Sequence, residues 1–137
     1  MEVLLFGAVG AITALLTSAW IMTFAHIYPT YFLREGRIID FKSLVRGHVD
    51  YAMMAIFCLV YYAVGIDLTT ISCWCITIGA ISNPIPFIIG AFDINYKEKK
   101  GWRVFMFLSF FITTVGHGWA AYTILFKALE IGIPNSY

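Results

Sequence analysis

Four long apolar runs constrain the fold of this chain more than any other feature. They cover residues 3–24, 48–65, 69–92 and 104–126, and the one Asp, Glu, Lys or Arg inside them is Asp50. At a rise of about 1.5 Å per residue, the first run forms about 33 Å of helix, enough to cross a hydrocarbon core of about 30 Å. Charged residues make up 12% of the chain, against about 25% in soluble domains. The sequence therefore predicts an all-α, four-helix transmembrane bundle that forms one membrane domain over residues 1–137.

The distribution of positive charge predicts how the bundle lies in the membrane. With four crossings, the first and third connections lie on one side, and both termini and the link at 66–68 lie on the other. Every lysine and arginine except Lys127 falls within residues 25–47 or 93–103. Because cytoplasmic loops carry an excess of these residues, we expect both loops in the cytoplasm, both termini outside, and a bacterial inner membrane as the location. The formal net charge of +1 gives no indication of nucleic-acid binding.

Three local patterns predict how the helices pack. Small residues recur at helical spacing in the first run and allow another helix to approach closely; they are Gly7, Ala8, Gly10, Ala11, Ala14, Thr17 and Ser18. Prolines in the segment 83–86, Asn-Pro-Ile-Pro, predict a break near the end of the third helix. The cysteines all lie inside apolar runs, so we expect buried packing thiols rather than a redox or zinc site; they are Cys58, Cys73 and Cys75.

Ionisable side chains are costly within a membrane, so those in or beside the runs are the first candidates for function. They are His26, His48, Asp50 and His117, and Asn83 is an uncharged polar addition. Counting about 1.5 Å per residue, we expect four of them to line one cavity that opens toward the cytoplasm. His117 is the exception, and it is expected below that cavity, near the middle of the bilayer.

His48, at the start of the second run, is the strongest candidate for a metal or haem ligand. Neutral imidazole is the commonest metal ligand, and its second ring nitrogen usually needs an orienting hydrogen-bond acceptor. Asp50 is a poor acceptor within the same helix, because residues two apart do not share a face, although it is placed to serve a neighbouring subunit. The alternative is an interfacial histidine that bonds to a loop.

The other candidates also have structural alternatives. His117 lies between two glycines, Gly116 and Gly118, which allow either a helix or a flat cofactor to come close; the alternative is an interhelical hydrogen bond. Asn83 is either a cap of the broken helix or a hydrogen-bond donor into a pocket. His26 is either a cavity residue or an interface anchor. No Gly-rich phosphate loop or di-metal pattern is present in the sequence, so nucleotide and hydrolase chemistry have no support.

The segment 46–54, Arg-Gly-His-Val-Asp-Tyr-Ala-Met-Met, resembles two families of small membrane proteins. Styrene oxide isomerases have four spans, and a basic-x-His opens their second helix ahead of a Met-Met pair. Their third helix carries an asparagine near its cytoplasmic end, comparable with Asn83. Hydroxylaminobenzene mutases have His-x-acid-x-x-Met at the same place, which residues 48–53 match.

The resemblance implies a homotrimer that holds ferric haem b between subunits, with His48 as the iron ligand. Arg46 and His117 are the further candidates for cofactor binding, and Tyr51 and Asn83 are the catalytic candidates. In these isomerases the open face of the iron acts as a Lewis acid on an epoxide oxygen, and rearrangement gives an aldehyde. The function implied is isomerisation of a small hydrophobic epoxide to a carbonyl compound without redox turnover.

Two positions differ from the isomerase pattern. The family's asparagine six residues beyond the histidine is Met54 here, and its tyrosine four residues beyond the helix-three asparagine is Phe87. Both hydrogen-bonding groups for the epoxide oxygen are therefore missing from their expected places. Tyr51 is the residue that would replace them, from a different height on the helix. The resemblance thus implies haem binding more directly than it implies styrene oxide as the substrate.

Two other functions are consistent with the same sequence. A non-catalytic membrane subunit that binds haem or a small molecule would have the same four-helix layout. Membrane glutathione transferases and leukotriene synthases also carry an Arg-x-His near the start of helix two, which Arg46 and His48 match. That family continues with an asparagine and then a glutamate, where this chain has Val49 and Asp50. It also uses an arginine-rich pocket that this sequence lacks, so it ranks below the haem hypothesis.

Overall fold

Five α-helices form four membrane-length segments in the computed structural model of the chain, which describes residues 1–93 and 95–132, with side chains as far as residue 129. The helices are α1 (Glu2–Ile27), α2 (Phe41–Val64), α3 (Thr70–Ser82), α4 (Ile85–Phe92) and α5 (Lys100–Gly132). A single π-helical turn, Thr30–Arg34, follows α1, and a 3₁₀ turn, Tyr96–Glu98, precedes α5. Helices α3 and α4 are the two halves of one interrupted crossing. The predicted all-α class and four spans are therefore confirmed at the level of helix length and composition.

Helix α2 begins at Phe41 rather than at His48, because Asp40 caps it. One carboxylate oxygen of Asp40 accepts the backbone N–H groups of Lys42 at 3.0 Å and Ser43 at 3.2 Å, and the other accepts the Ser43 hydroxyl at 2.6 Å. The Ser43 hydroxyl and amide hold the pKa of Asp40 below its ordinary value. Lys42 and Arg46, which the sequence analysis assigned to a loop, therefore belong to the first turns of α2.

The break between α3 and α4 lies where the prolines predict it. Pro84 and Pro86 have no N–H to donate to the carbonyls four residues earlier, so the helical ladder is interrupted there. The hydroxyl of Tyr51, from α2, donates to the Ile81 carbonyl in the last turn of α3, beside this break, at 3.3 Å. A side chain from a neighbouring helix thus supplies a polar partner at membrane depth, as the absence of water in the bilayer requires.

Helix α3 is the centre of the bundle, and glycines bring it close to the helices on both sides. A Cβ at Gly7 of α1 would lie 3.1 Å from the Thr77 hydroxyl oxygen of α3. On the other side, a Cβ at Gly116 of α5 would lie 2.8 Å from the backbone nitrogen of Ile76. These positions have no room for a side chain, so the glycines set the distance between the helices.

The small-residue pattern of α1 is the face that packs against the other helices. Most of its members are buried or partly buried, whereas Thr17 is exposed; those fully buried are Gly7, Ala8, Ala11 and Ser18. The prediction for this face is thus confirmed apart from Thr17. Cys58 and Cys73 are buried free thiols as expected, and Cys75 is a free thiol that is only partly buried.

Hydroxyl groups add hydrogen bonds between the same helices. The Thr77 hydroxyl donates to the Val3 carbonyl at 2.9 Å, and the Ser72 hydroxyl donates to the Gly116 carbonyl at 3.1 Å. The Ser82 and Ser109 hydroxyls also bond to each other, at 2.7 Å. These contacts tie α3 to α1 at one point and to α5 at two.

The two basic connections lie at the same end of the bundle, here named the basic end. The N–H groups of Ile39 and Asp40 in the first connection donate to the carbonyl of Ala91, near the end of α4, at 2.7 and 3.2 Å. At the opposite end, here named the far end, Lys127 of α5 lies 3.5 Å from the carboxylate of Asp67 in the short link. The predicted pairing of connections is confirmed.

Neighbouring glycines on α5 offer a direct test of this packing. We expect Gly116→Val to destabilise the fold by about 1–3 kcal/mol, because the new side chain meets the backbone of α3. Gly118→Val is the matched control, since a Cβ there has nothing within 4 Å. Thermal unfolding in detergent, followed by circular dichroism, compares them. Equal unfolding temperatures for the two variants would contradict the packing of α5 on α3.

Candidate functional site

His48 is held by α1 through a hydrogen bond to Ser18. Its Nδ1 atom lies 3.0 Å from the Ser18 hydroxyl oxygen. Ser18 is 2% exposed, and His48 is half-buried. The acceptor that a ligand histidine needs is therefore supplied by the first helix, and neither Asp50 nor a loop provides it.

Ser18 makes a second hydrogen bond, and this bond bears on which atom is the donor between Ser18 and His48. The Ser18 hydroxyl donates to the Leu15 carbonyl at 2.8 Å. A hydroxyl group has one proton to donate, so this arrangement favours a bond to His48 in which Nδ1 is the donor. Nε2 makes no hydrogen bond to any residue that the structure describes. A neutral imidazole that donates from Nδ1 has its lone pair at Nε2, as a metal or haem ligand requires.

A groove lies on the basic-end side of the Ser18–His48 bond. Its volume is about 360 Å³, and it is lined by Met22, Thr23, His26, Ile27 and Phe41. Met22 and His26 follow Ser18 at intervals of four residues, so they share its face of α1. Phe41 lies two turns before His48 on the same face of α2. His26 is therefore an exposed residue at the contact between α1 and α2, here named the α1–α2 seam. It lies in the same seam as His48 but nearer the basic end.

Arg46 and Asp50 lie in a different groove. This groove has a volume of about 350 Å³ and is lined by Val45, Arg46, Val49, Asp50, Met53 and Phe87. His48 is not part of it, because residues two apart on a helix point to opposite sides. Within residues 1–93 and 95–129, Asp50 makes no ion pair with Arg46 or with another cation. The two candidate residues nearest to His48 in sequence thus face away from it.

Tyr51 and Asn83 both lie at the break between α3 and α4. Tyr51 is 5% exposed, and its hydroxyl proton is already engaged by the Ile81 carbonyl. Asn83 is 7% exposed, and its Oδ1 atom has no hydrogen-bond partner in the described part of the chain. The four residues that the sequence analysis placed in one cavity are therefore divided among the α1–α2 seam, the Asp50 groove and this break.

His117 lies in the far half of the bundle rather than near its middle. Its Nδ1 atom is 3.1 Å from the hydroxyl of Tyr61, and the ring of Phe57 packs edge-on at a centroid distance of 5.4 Å. Its Nε2 atom is buried without a partner among the described residues. Phe57 is nine residues beyond His48, roughly 14 Å along α2. One iron cannot be bound by both histidines of a single chain, and the role of His117 in cofactor binding stays a prediction.

The glycines beside His117 differ in their surroundings. Gly116 packs against α3 as expected, whereas nothing lies within 4 Å of a Cβ at Gly118. The interhelical hydrogen bond to Tyr61 is the structural alternative considered for His117, and the structure contains it. The sequence analysis missed both Tyr61 and Ser18 as partners. The sequence feature that could have indicated them is that Tyr61 and Ser18 are polar residues within apolar runs, where buried polar groups need partners.

The nitrogen donors can be compared with what a zinc ion and a haem iron each require from the protein. Among the described residues, no cluster of three or more His, Cys, Asp or Glu side chains is placed to hold a metal ion. A structural zinc site needs about four protein ligands. Haem iron is already bound by the macrocycle and takes one or two axial ligands from the protein. Nε2 of His48, which has no partner among the described residues, fits the requirement of haem iron for an axial ligand.

Comparison of the chain with protein-family models, with curated proteins and with solved structures gave no match. No family is therefore identified, and the similarity at residues 46–54 is a local one.

The Ser18 bond predicts a measurable tautomer. We expect nitrogen NMR of labelled protein without added cofactor to show His48 protonated at Nδ1. Ser18→Ala removes the partner of a part-buried N–H and is expected to destabilise the fold by about 1–3 kcal/mol. Thr17→Ala is the control, because Thr17 is the exposed neighbour and bonds only within α1. An Nε2-protonated His48 in the unaltered chain would contradict the assignment.

Proposed function

We propose that this protein is a haem b-dependent membrane isomerase in which His48 is the axial ligand and the substrate is a small hydrophobic epoxide. The observation that carries the proposal is the Ser18–His48 bond, which engages Nδ1 of His48, while Nε2 has no hydrogen-bond partner among the described residues. When bound, ferric haem would supply a Lewis acid that stabilises negative charge on the substrate oxygen as the epoxide rearranges to a carbonyl compound.

Ser18 positions His48 for this role. The bond to Nδ1 fixes the ring orientation and raises the basicity of Nε2, as such outer partners do for ligand histidines. Arg46, near the basic end, is the cation proposed to pair with a carboxylate of the cofactor.

Asn83 and Tyr51 are the proposed contacts to the substrate. Asn83 is buried at the helix break, and its Oδ1 atom has no partner among the described residues. Its Nδ2 amide group is the proposed hydrogen-bond donor to the substrate oxygen. Tyr51 would have to exchange the Ile81 carbonyl for the substrate oxygen. Met54 is mostly buried, and Phe87 lines the Asp50 groove. Neither side chain offers a hydrogen bond to an epoxide, so Asn83 is the principal donor in this proposal.

A neighbouring copy of the chain is part of the proposed site. His48 is half-buried, and the side chains of Val45 and Val49 beside it are exposed apolar groups. This surface supports a site that another subunit completes, in the homotrimer that the sequence resemblance implies. The proposed orientation has the basic end in the cytoplasm and both termini outside.

A non-catalytic haem-binding subunit is the second candidate function, and one observation favours it. The Tyr51 hydroxyl is occupied inside the bundle, and the grooves about Arg46 and His26 contain neither Tyr51 nor Asn83. Incubation of the haem-loaded protein with a panel of epoxides separates the two functions, because only the isomerase forms carbonyl product. A glutathione transferase has less support, since the Asp50 carboxylate beside Arg46 would repel the anionic substrate.

Haem titration of purified variants tests the ligand assignment. We expect His48→Ala to lose the b-type Soret band, because the axial nitrogen is gone. His26→Ala is the matched control: it removes an exposed histidine from the same seam and is expected to bind haem like the unaltered chain. Full haem occupancy in His48→Ala, or loss of haem in His26→Ala alone, would overturn the assignment of His48.

A further inference from the structure

A groove on α5 combines two cations with an apolar floor. Its volume is about 390 Å³, and it is lined by Lys100, Arg103, Val104, Phe107 and Leu108. These residues follow one another at intervals of three and four, so they form one face of the helix. All five are exposed. The cations occupy the basic end of this face, and the apolar side chains continue it toward the far end.

The level of this groove matches the boundary between headgroups and acyl chains. The membrane-length part of α5 is Lys100–Leu129, 30 residues, or about 45 Å of helix. This exceeds a hydrocarbon core of about 30 Å. The stretch without acidic residues, lysine or arginine is 104–126, between Arg103 and Lys127, so we expect Lys100 and Arg103 at phosphate level. Phe107 and Leu108, one turn further along α5, are then expected among the acyl chains.

Among the described residues, the cations of this groove have no carboxylate beside them, unlike the cations of two other grooves. The groove with Arg46 also contains Asp50. The groove with Trp102 contains Lys99, whose ammonium is paired with Asp93 at 2.7 Å. Lys100 and Arg103 make no ion pair with any carboxylate in the part of the chain that is described. Both cations are therefore available to an external anion.

We propose that this face of α5 is a binding site for an anionic glycerophospholipid. The phosphate would bind between Lys100 and Arg103, where the planar guanidinium offers paired donors, and an acyl chain would lie along Val104, Phe107 and Leu108. A free phosphate ion satisfies the cations alone, whereas the lipid also covers the apolar floor. The site does not depend on haem or on the proposed isomerase activity.

Native mass spectrometry of the purified full chain in a neutral detergent tests this site. The probes are dioleoyl phosphatidylglycerol and dioleoyl phosphatidylcholine. We expect the anionic lipid to bind more tightly, and Lys100→Gln/Arg103→Gln to weaken its binding at least about 10-fold, since each cation near an anionic headgroup favours binding about fivefold. Circular dichroism checks that the double variant, which changes two exposed side chains, keeps its helix content.

The matched control is Arg34→Gln/Lys97→Gln, which removes two exposed cations from the same end without touching the groove. Retained lipid binding in this control supports a local site, whereas an equal loss in both double variants would overturn it in favour of general charge attraction. Equal binding of the two lipids would also overturn the proposal. Inorganic phosphate at millimolar concentration is a competitor; displacement of the lipid by it would show that the apolar floor plays no part.

Discussion

Helices inside a bilayer gain little from burying apolar side chains against one another, because the lipid tails are equally apolar. The structure of this chain depends on that constraint. Its helices are held by close backbone approach at glycines and by hydroxyl hydrogen bonds that cross between helices. Both kinds of contact converge on α3, with Thr77 bonding to α1 and Gly79 packed on Thr113 of α5.

The same constraint produces the candidate site. Ser18 belongs to the small-residue face of α1, and its buried hydroxyl bonds to His48 of α2. Ser18 is thus small enough for α2 to approach α1, and its hydroxyl also bonds to His48, the proposed iron ligand. Near the proline break, the Tyr51 hydroxyl donates a hydrogen bond to the backbone carbonyl of Ile81. Several polar groups in this bundle therefore have structural partners, whereas His48 Nε2, His117 Nε2 and Asn83 Oδ1 have none among the described residues.

The sequence analysis predicted the features that depend on local chemistry. The length of the apolar runs predicted the four crossings, and the positions of the lysines and arginines predicted that the two basic connections share one end. The Asn-Pro-Ile-Pro segment predicted the break in the third crossing. Helix α2 begins at Phe41, about two turns before the apolar run counted from His48, because the cap at Asp40 is a local signal that apolar content does not include.

The site was predicted less well, because it depends on how each helix is rotated about its axis. The sequence places Arg46, His48 and Asp50 together, but their side chains face different directions. The partners Ser18 and Tyr61 are 30 and 56 residues away from the histidines they contact. Such pairs follow from helix packing, which one sequence does not determine. The depth of His117 was counted from the start of the run 104–126, whereas α5 extends beyond that run at both ends.

The proposed function requires that His48 offer a free axial nitrogen to haem. An absorption spectrum tests this on the unaltered protein, expressed with ample haem and purified in detergent, in oxidised and reduced forms, with a pyridine haemochrome assay. We expect a b-type spectrum and a ferric form that binds added amines at an open iron position. A colourless protein under these conditions would contradict the proposed function.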